Sequence, residues 1–283
     1  MVEQEVVIVN EMDLGRKVRE MGRDGPNDFH VLSDFDRTIT YALSNGGKTP
    51  SVISQLRSDP KYLGQAYFDE AHKLHAHYYP IEVGNLPMSE KMKEMHDWWR
   101  KHFELLIRSG LSRQLISQVT KEKPLHFRNG SLEFIKLLNQ RNIPLVIMSA
   151  APGDILIEYL KQNDLLFPNI EIVSNMYEFD EEGRAIRIKE PIIHTFNKTE
   201  VTLDSHPIYK LIEKRRNVLL MGDSLGDVGM VEGFPYKNLI KIGFFNDPDE
   251  GSLDQFKKDY DVVLTGDQDF SYVNKLMREM FGK

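Results

Sequence analysis

Short apolar runs alternate with amphipathic helical patterns from about residue 129 to the end of the chain. Strands that alternate with helices form right-handed βαβ units, and the resulting parallel sheet is covered by helices on both faces. The sequence therefore predicts an α/β fold with a doubly wound, mainly parallel sheet. Strands are predicted at residues 143–149, 170–174, 217–221, 239–245 and 260–264.

Two helices and a hairpin are predicted within the same part of the chain. One helix covers residues 131–140, and another begins near Pro152-Gly153-Asp154, because proline suits a first helical turn and aspartate suits its positive end. Residues 176–195 interrupt the alternation, since Asp180-Glu181-Glu182-Gly183 separates two potential strands. We expect a β-hairpin there.

A pair of acidic residues stands where a further buried strand, residues 29–32, should end. Asp34 and Asp36 lie one residue apart in Ser33-Asp34-Phe35-Asp36-Arg37-Thr38. Open α/β folds bind their ligands at the carboxyl ends of strands. Because like charges a few Å apart repel unless a cation or proton intervenes, the pair indicates a metal site, a shared proton or a phosphate-handling site. On this motif alone, an exposed acidic turn is the alternative.

Three further polar signals follow predicted strands or lie in the connections between them. They are Ser149, Lys198 and the double Gly-Asp of Gly222-Asp223-Ser224-Leu225-Gly226-Asp227, which is the most specific of the three. Its glycines allow tight turns and close approach of the backbone. A set of carboxylates, a lysine and a hydroxyl suits phosphoryl transfer, in which catalysis is mostly positioning and electrostatic stabilisation.

Each of these residue types has a chemical role in such a reaction. One carboxylate can attack phosphorus and form an aspartyl phosphate, and a second can act as general acid and then as general base. Mg²⁺ prefers oxygen ligands and would offset the repulsion within an acidic cluster. Lysine and a short hydroxyl would hold the remaining phosphoryl oxygens.

Residues 39–123 differ from the rest of the chain, being polar, rich in Lys, His, Tyr and Met, and helical in their spacing. Apolar residues there recur three to four positions apart, which is typical of amphipathic helices with one face to bury. We predict a helical cap domain over 39–123, inserted into a core domain formed by 1–38 and 124–283. The recurring residues are Leu74, Tyr78, Ile81, Met92, Met95, Trp99, Phe103 and Leu106.

Charge and composition exclude several classes of function. The net charge of -7 argues against a general binder of nucleic acid, which usually carries a strong positive excess. The chain has no cysteine, so disulfides, thiolate metal sites and a cysteine nucleophile are excluded. The first 23 residues lack the layout of a signal peptide, and the apolar runs are too short to cross a bilayer. We therefore expect a cytoplasmic protein that binds neither polymeric nucleic acid nor membrane.

The acidic pair, Ser149, Lys198 and the double Gly-Asp, in this order, resemble the haloacid dehalogenase superfamily of phosphatases. The resemblance implies that Asp34 is the nucleophile and Asp36 the general acid/base. It further implies a Mg²⁺ site formed by Asp34, the carbonyl of Asp36 and Asp223, with Asp227 in support. The residues that the resemblance implies for phosphate binding are Thr38, Ser149, Ala150 and Lys198.

A closer resemblance covers residues 31–264 and concerns the cytosolic pyrimidine 5′-nucleotidases of type III. In that family a helical cap carries the nucleoside selectivity. The resemblance implies that Glu82, Trp98, Trp99 and His102 bind the nucleoside. Its motifs are Ile81-Glu82-Val83, Asp97-Trp98-Trp99, Ser149-Ala150, Val173-Ser174-Asn175, Phe196-Asn197-Lys198 and Lys241-Ile242-Gly243.

The activity implied by this resemblance is that of a phosphoric monoester hydrolase. It would be a Mg²⁺-dependent 5′-nucleotidase, a monomer that hydrolyses UMP and CMP to nucleoside and phosphate through an aspartyl phosphate. The Trp98-Trp99 pair also resembles the branch that accepts 7-methylguanosine monophosphate, and a Trp face suits a positively charged methylated base. Because neighbouring helical residues point about 100° apart, at most one of the two readily faces a pocket.

Other functions are compatible with parts of the pattern. A receiver-like signalling domain also gathers acidic residues, a hydroxyl and a lysine around a phosphorylated aspartate. It needs no acid/base at Asp36, and the roughly eighty-residue insertion argues against it. A nucleotide-binding regulator without catalysis is a third hypothesis. His72, His75 and His77 suggest a metal site, but only the first two share a helical face.

Overall fold

The computed structural model describes residues 3–44, 47–198, 208–233, 235–246 and 252–282. A mainly parallel sheet lies at the centre of the protein. In chain order, the strands among the described residues are β1 (Val6–Ile8), β2 (Phe29–Ser33), β3 (Leu43–Ser44), β4 (Gly47–Lys48), β5 (Leu145–Pro152), β6 (Ile170–Asn175), β7 (Tyr177–Phe179), β8 (Ala185–Ile188), β9 (Asn217–Gly222), β10 (Asn238–Phe245) and β11 (Val262–Thr265). The central sheet has seven of them, in the order β1-β11-β10-β9-β2-β5-β6.

Helices cover both faces of this sheet, which confirms the predicted α/β fold. All neighbouring strands of the sheet run parallel except β1, which pairs antiparallel with β11. The helices are α1 (Glu11–Asp24), α2 (Val52–Leu56), α3 (Pro60–Val83), α4 (Met88–Arg108), α5 (Arg113–Glu122), α6 (Ser131–Gln140), α7 (Gly153–Gln162), α8 (Tyr209–Ile212), α9 (Leu253–Asp259) and α10 (Ser271–Phe281).

Side chains that alternate along the strands form two apolar layers, one on each side of the sheet. On β9, Leu219 and Met221 belong to one buried cluster, while Val218 and Leu220 belong to the other. This is the period of two that a strand buried on both faces requires. The sheet is therefore covered on both sides and exposes its ends rather than its faces.

Most predicted elements agree with the structure to within a few residues. Helix α6 coincides with its prediction, and β7 and β8 form the predicted antiparallel hairpin around Asp180–Gly183. Strand β11 begins two residues later than predicted, because the Tyr260 amide still donates to the Phe256 carbonyl and closes α9. Strand β5 runs on to Pro152 through an irregular register after Met148.

The amino-terminal elements β1 and α1 are absent from the predictions above. The pairing of Val6 with Leu264 adds β1 to the edge of the sheet. Helix α1 begins at a side-chain cap, in which Asn10 accepts a hydrogen bond from the Asp13 amide, and it buries Leu14 and Met21. The strand has only three residues, which is too short to show a periodic pattern.

Helices α2–α5 lie between β2 and β5, in the segment predicted to be helical. Helix α3 is interrupted at Gly64, whose φ of 85° is in the left-handed region that favours glycine. Leu105 and Leu106 of α4 belong to the same apolar cluster as Val31 of β2. The division of the chain into a core and a cap domain stays a prediction. Among the described residues, no helix combines the length and the apolar character needed to span a membrane.

Candidate active site

The register of the central strands brings the predicted motifs together at one edge of the sheet. Ser33 of β2 is level with Ile147 of β5 and with Met221 of β9. The Asp34 amide continues this pairing, because it donates to the Met221 carbonyl at 3.0 Å. The three chain segments that follow these strands therefore leave the sheet side by side.

Lys198 joins two of the predicted acidic residues. Its Nζ lies 2.5 Å from Asp34 Oδ1 and 2.6 Å from Asp227 Oδ1, and all three side chains are buried. Burial by itself lowers the pKa of Lys198, but the charges of Asp227 and Asp34 outweigh it and raise the pKa. Lys198 is thus a permanent cation held between two carboxylates.

The electrostatics of Asp34 differ from those of an ordinary aspartate. Burial raises the pKa of Asp34 above its usual range, Lys198 opposes that change, and Asp227 adds to it. Burial likewise raises the pKa of Asp223, and the charges of Asp34 and Asp227 raise it further. The carboxylates therefore repel one another, and one lysine does not neutralise them all.

The loop after β9 holds Asp227 rigidly. Its Oδ2 accepts hydrogen bonds from the Asp223 and Ser224 amides and from Ser224 Oγ, at 2.9 to 3.1 Å. A Cβ atom on Gly222 would lie only 2.4 Å from Asp227 Cβ. Gly222 is therefore required for this carboxylate to fold back against the strand end.

Asp36 is half-buried, and among the described residues no hydrogen bond or ion pair joins its side chain to Lys198. Its Oδ1 accepts a hydrogen bond of 3.0 Å from the amide of Val52, the first residue of α2. Burial raises the pKa of Asp36 to about 6. A carboxyl group with such a pKa can both donate and accept a proton near neutrality.

The remaining residues predicted to bind phosphate lie within β5, in the case of Ser149 and Ala150, and in the turn after β2, in the case of Thr38. Ser149 Oγ accepts from the Ala151 amide at 3.1 Å, and the Ala150 carbonyl accepts from Asn175 Nδ2 at 2.7 Å. Thr38 Oγ1 is buried and has no hydrogen-bond partner among the described residues.

Two asparagines, to which the sequence interpretation assigned no role, shape the loop that carries Lys198. Asn175 donates to and accepts from the backbone of Ile193, at 2.8 Å in both directions. Asn197 accepts from the His194 amide at 2.7 Å and donates to the Ile192 carbonyl at 2.8 Å. Asn175 ends strand β6, which is the signal that could have identified it.

The acidic group has the composition of a Mg²⁺ site. One oxygen each of Asp34, Asp223 and Asp227 lies within 4.8 Å of the others. Carboxylate oxygens are the ligands that Mg²⁺ prefers, and repulsion within the group favours a divalent cation. These residues therefore fit the metal predicted from the sequence.

Glu82 connects helix α3 to the loop of Lys198. Its Oε1 accepts a hydrogen bond of 2.8 Å from Thr195 Oγ1. The ring of Phe196 in the same loop packs against the small apolar cluster of Tyr78, Met95 and Trp98. The helices predicted to bind the nucleoside therefore contact the loop predicted to bind the phosphate.

The two tryptophans of α4 have different surroundings. Trp98 is 7% exposed and stacks on Tyr78, with ring centroids 5.7 Å apart. Trp99 is half-buried and contacts Phe103 at a centroid distance of 5.4 Å. The indole Nε1 of each is buried without a hydrogen-bond partner in the described part of the chain.

His102 and the other histidines take part in local contacts of the helices. His102 Nε2 lies 3.1 Å from the hydroxyl of Tyr67, and burial lowers the pKa of His102 to about 3. His72 bonds the Phe68 carbonyl, and His75 stacks on Tyr79. Within the described ranges, the acidic group at the sheet edge is the one set of three potential metal ligands.

The central sheet and its helices form a fold of the haloacid dehalogenase type. A phosphoserine phosphatase solved as an analogue of the phospho-aspartyl intermediate has the same fold, with a TM-score of 0.53 at 17% identity. Residues 37–281 match the family model described as pyrimidine 5′-nucleotidase (UMPH-1). The chain belongs to this family, and it is a 5′-nucleotidase and thus a hydrolase.

Relatives with known names match almost the whole chain. The 7-methylguanosine phosphate-specific 5′-nucleotidases of Mus musculus and Homo sapiens are each 36% identical over 265 residues, covering 93% of this chain and 88% of the relative. A putative cytosolic 5′-nucleotidase 3 of Caenorhabditis elegans is 32% identical, covering 97% of this chain and 75% of the relative. Cytosolic 5′-nucleotidase IIIB bound to cytidine has a TM-score of 0.86 at 30% identity, covering 97% of this chain and 92% of that structure.

Proposed function

We propose that this protein is a Mg²⁺-dependent 5′-nucleotidase that prefers 7-methylguanosine 5′-monophosphate and works through an aspartyl phosphate on Asp34. The observation that carries the proposal is the contact of Lys198 with both Asp34 and Asp227, beside Asp223. It places a buried cation against a carboxylate at a strand end, where a phosphate can be held close to a nucleophile.

The first step transfers the phosphoryl group to the protein. An oxygen of Asp34 attacks phosphorus as the bond from phosphorus to the 5′ oxygen of the nucleoside breaks. Asp36 gives its proton to this leaving 5′ oxygen. The raised pKa of Asp36, about 6, supports this role as an acid. Lys198, with its raised pKa, offsets charge on the phosphoryl oxygens throughout.

The second step restores Asp34. Asp36, now ionised, accepts a proton from water as the water oxygen bonds to phosphorus, and the bond between Asp34 and phosphorus breaks. Mg²⁺ held by Asp34, Asp223 and Asp227 would neutralise charge on the phosphate and on the acidic group. Thr38, Ser149 and Ala150 are the proposed partners of the remaining phosphate oxygens.

The preference for a methylated guanine rests on Glu82 and the tryptophans. Guanine offers an N1–H and an amino group side by side, which suit a carboxylate, and methylation at N7 adds a positive charge that a Trp face attracts. The names of the mouse and human relatives support the same choice. Glu82, Trp98, Trp99 and His102 are the proposed nucleoside-binding residues.

Hydrolysis of UMP and CMP is the second candidate, and the comparisons favour it independently. The family model carries the name of a pyrimidine 5′-nucleotidase, and a structural relative was solved with cytidine. Cytosine also offers an amino group to a carboxylate. We further propose that the protein acts in the cytoplasm as a monomer, without membrane or nucleic acid partners. The net charge of -7 argues against a nucleic acid partner.

A substrate panel tests this proposal. Phosphate release would be measured with 7-methylguanosine monophosphate, UMP, CMP, AMP and phosphoserine, each with Mg²⁺ and with EDTA. We expect the highest kcat/KM for the methylated guanine nucleotide, and no turnover in EDTA. A higher value for UMP or CMP would select the pyrimidine hypothesis. Stable phosphorylation without turnover would instead favour the receiver-like hypothesis.

A further inference from the structure

Arg128 is buried far more completely than arginine usually is. It is 1% exposed and lies in the segment that connects α5 to α6. Arginines are almost never fully buried unless they are paired. The groups around its guanidinium stabilise the buried charge and belong to chain segments that Arg128 connects.

The guanidinium of Arg128 has an acceptor for each of its five N–H groups. Nε donates to the Thr38 carbonyl at 2.9 Å. Nη2 donates to the Arg37 carbonyl at 2.6 Å and to Asn246 Oδ1 at 2.8 Å. Nη1 donates to the Gln268 carbonyl and lies 2.9 Å from Asp267 Oδ1.

Two of these acceptors belong to the residues that directly follow Asp36. Arg37 has a φ of 61°, a left-handed conformation that residues other than glycine rarely adopt. Its carbonyl accepts a second hydrogen bond, from Asn246 Nδ2 at 3.0 Å, and its amide donates to Thr40 Oγ1 at 2.9 Å. The unusual turn is thus held from both sides.

The same cluster ties together the two chain segments that connect the sheet to α2–α5. The Arg128 amide donates to the Ile39 carbonyl at 3.0 Å. The carboxylate of Asp267 accepts from the amides of Ala42 and Leu43 at 2.9 Å each. Arg128 therefore fixes the Asp36 loop relative to both connections.

We propose that Arg128 is a positioning residue, which holds the left-handed turn at Arg37 so that the Asp36 carboxylate faces the phosphoryl group. This inference rests on the proposed function, since it takes Asp36 as the general acid/base. Among the described residues, the Arg128 side chain donates no hydrogen bond to Asp34 or Asp36, so it acts through the backbone. A lysine cannot replace it, because an ammonium lacks the planar fork that spans these acceptors.

The test compares R128K with a matched variant, R215K. Arg215 also donates to backbone carbonyls, those of Pro26 and Phe29 at 2.9 and 3.1 Å, but at the opposite end of β2. Each variant keeps the positive charge and loses hydrogen bonds that the planar guanidinium donates to backbone carbonyls. Steady-state kinetics, rapid-mixing kinetics and thermal unfolding would be measured with 7-methylguanosine monophosphate, UMP and p-nitrophenyl phosphate.

With the nucleotides, we expect kcat of R128K to fall by about 100-fold, the effect of misplacing a catalytic group by about 1 Å, with KM changed by less than about threefold, because both steps use Asp36. With p-nitrophenyl phosphate, kcat and KM should fall together, because hydrolysis of the aspartyl phosphate becomes the slow step. p-Nitrophenol leaves with little help from an acid, whereas hydrolysis of the aspartyl phosphate still needs Asp36. R128K should therefore show a burst of p-nitrophenol that the wild type lacks. R215K should lower the unfolding temperature and leave kcat unchanged.

Several results would overturn the inference. These are an unchanged kcat in R128K, a loss of kcat without a burst, or a crystal structure of R128K in which Arg37 and Asp36 keep their conformation. If R128K does not fold, N246A removes one of the two donors to the Arg37 carbonyl. N246A should show the same burst of p-nitrophenol, with kcat lowered by about tenfold. The absence of this burst would count equally against the inference.

Failure of the proposed function would look different. A wild type that hydrolyses p-nitrophenyl phosphate but no nucleotide refutes the proposed substrates, while the kinetic comparison of R128K still applies. A wild type without any phosphatase activity refutes the proposed function altogether. In that case the crystal structure of R128K decides whether Arg128 holds the turn.

Discussion

The carboxyl edge of the sheet and the helices α3 and α4 differ in the kinds of side chain that they contain. At the sheet edge, Lys198, Asp34 and Asp227 form direct ion pairs while buried. Between the helices, Trp98 and Trp99 provide ring faces, and their indole nitrogens lack partners among the described residues. One region is a buried network of charges with an excess of carboxylates, and the other presents aromatic rings whose indole N–H groups have no partner among the described residues.

This difference corresponds to a division of tasks. Buried charges interact strongly and depend on fixed partners, so a small change at the sheet edge affects every substrate. Aromatic faces accept many flat rings, because stacking depends little on the pattern of donors and acceptors. Changes between α3 and α4 should therefore alter which base is accepted and leave the phosphoryl chemistry intact.

One loop belongs to both regions. Thr195 bonds Glu82 of α3, and three residues later Lys198 bonds Asp34. Glu82, proposed to bind the base, is thus linked through a short piece of backbone to Lys198, proposed to bind the phosphate. Substitutions in each region test whether the two regions are as separable as their composition suggests.

The largest effect is expected from D34N. The amide cannot form an aspartyl phosphate, so phosphate release should fall by about 10⁴-fold or more for every substrate of the panel. Because burial and Asp227 raise the pKa of Asp34, a neutral amide should not lower the unfolding temperature. D254N changes an exposed aspartate of α9 and should behave as the wild type. Residual activity of D34N above a hundredth of the wild-type rate would exclude Asp34 as the nucleophile.

The next effect is expected from K198M. Removal of the cation leaves two buried carboxylates facing each other, which should lower the free energy of unfolding by about 3 kcal/mol without Mg²⁺. Turnover should fall by roughly 10²-fold to 10³-fold for all substrates, as a transition-state donor is lost. K237M removes an exposed lysine paired with Asp24, and its unfolding free energy should change by at most about 1 kcal/mol. Equal effects in the two variants would contradict the role given to Lys198.

A smaller and selective effect is expected from E82Q. Loss of a charged acceptor should lower kcat/KM for 7-methylguanosine monophosphate by about 10-fold to 100-fold. Hydrolysis of p-nitrophenyl phosphate should not change, because that substrate has no base. E90Q, in the first turn of α4, provides an exposed control. If E82Q slows all substrates equally, the bond between Glu82 and Thr195 positions the phosphate site, and the two regions are not separable.

The smallest effect concerns the surface of the helices. Lys101 and Tyr78 bond the Asp97 carboxylate and lower the pKa of Asp97 to about 2. An acid whose folded-state pKa is depressed stabilises the protein above its unfolded pKa and loses this contribution as the pH falls toward 2. D97N should therefore cost roughly 0.5 kcal/mol at pH 7, because the pair is partly exposed. The difference in unfolding free energy between D97N and the wild type, measured by chemical denaturation, should shrink between pH 4 and pH 2. A difference that grows over this range would contradict the stabilising role of the Asp97 carboxylate.

The strand ends were predictable because strands and motifs are local in sequence. The run before Asp34 and the run before Gly222 each show a buried strand followed by charge, and parallel strands must end at the same edge. Helices α3 and α4 were predictable from the spacing of their apolar residues for the same reason. Strand β1 was not, since three residues carry no periodic signal and its partner Leu264 lies at the other end of the chain.

The α/β fold, the acidic strand ends and the helical character of residues 39–123 could be predicted from the sequence, because these features depend on neighbours along the chain. The position of Lys198 between Asp34 and Asp227, and the contacts by which Asn175 and Asn197 shape its loop, emerge only in the folded protein. The hydrogen bonds from Arg128 to the turn after Asp36, which join residues about ninety positions apart, likewise emerge only there. Charge pairs and backbone clamps of this kind depend on distances across the fold, and side-chain spacing in a sequence carries no record of them.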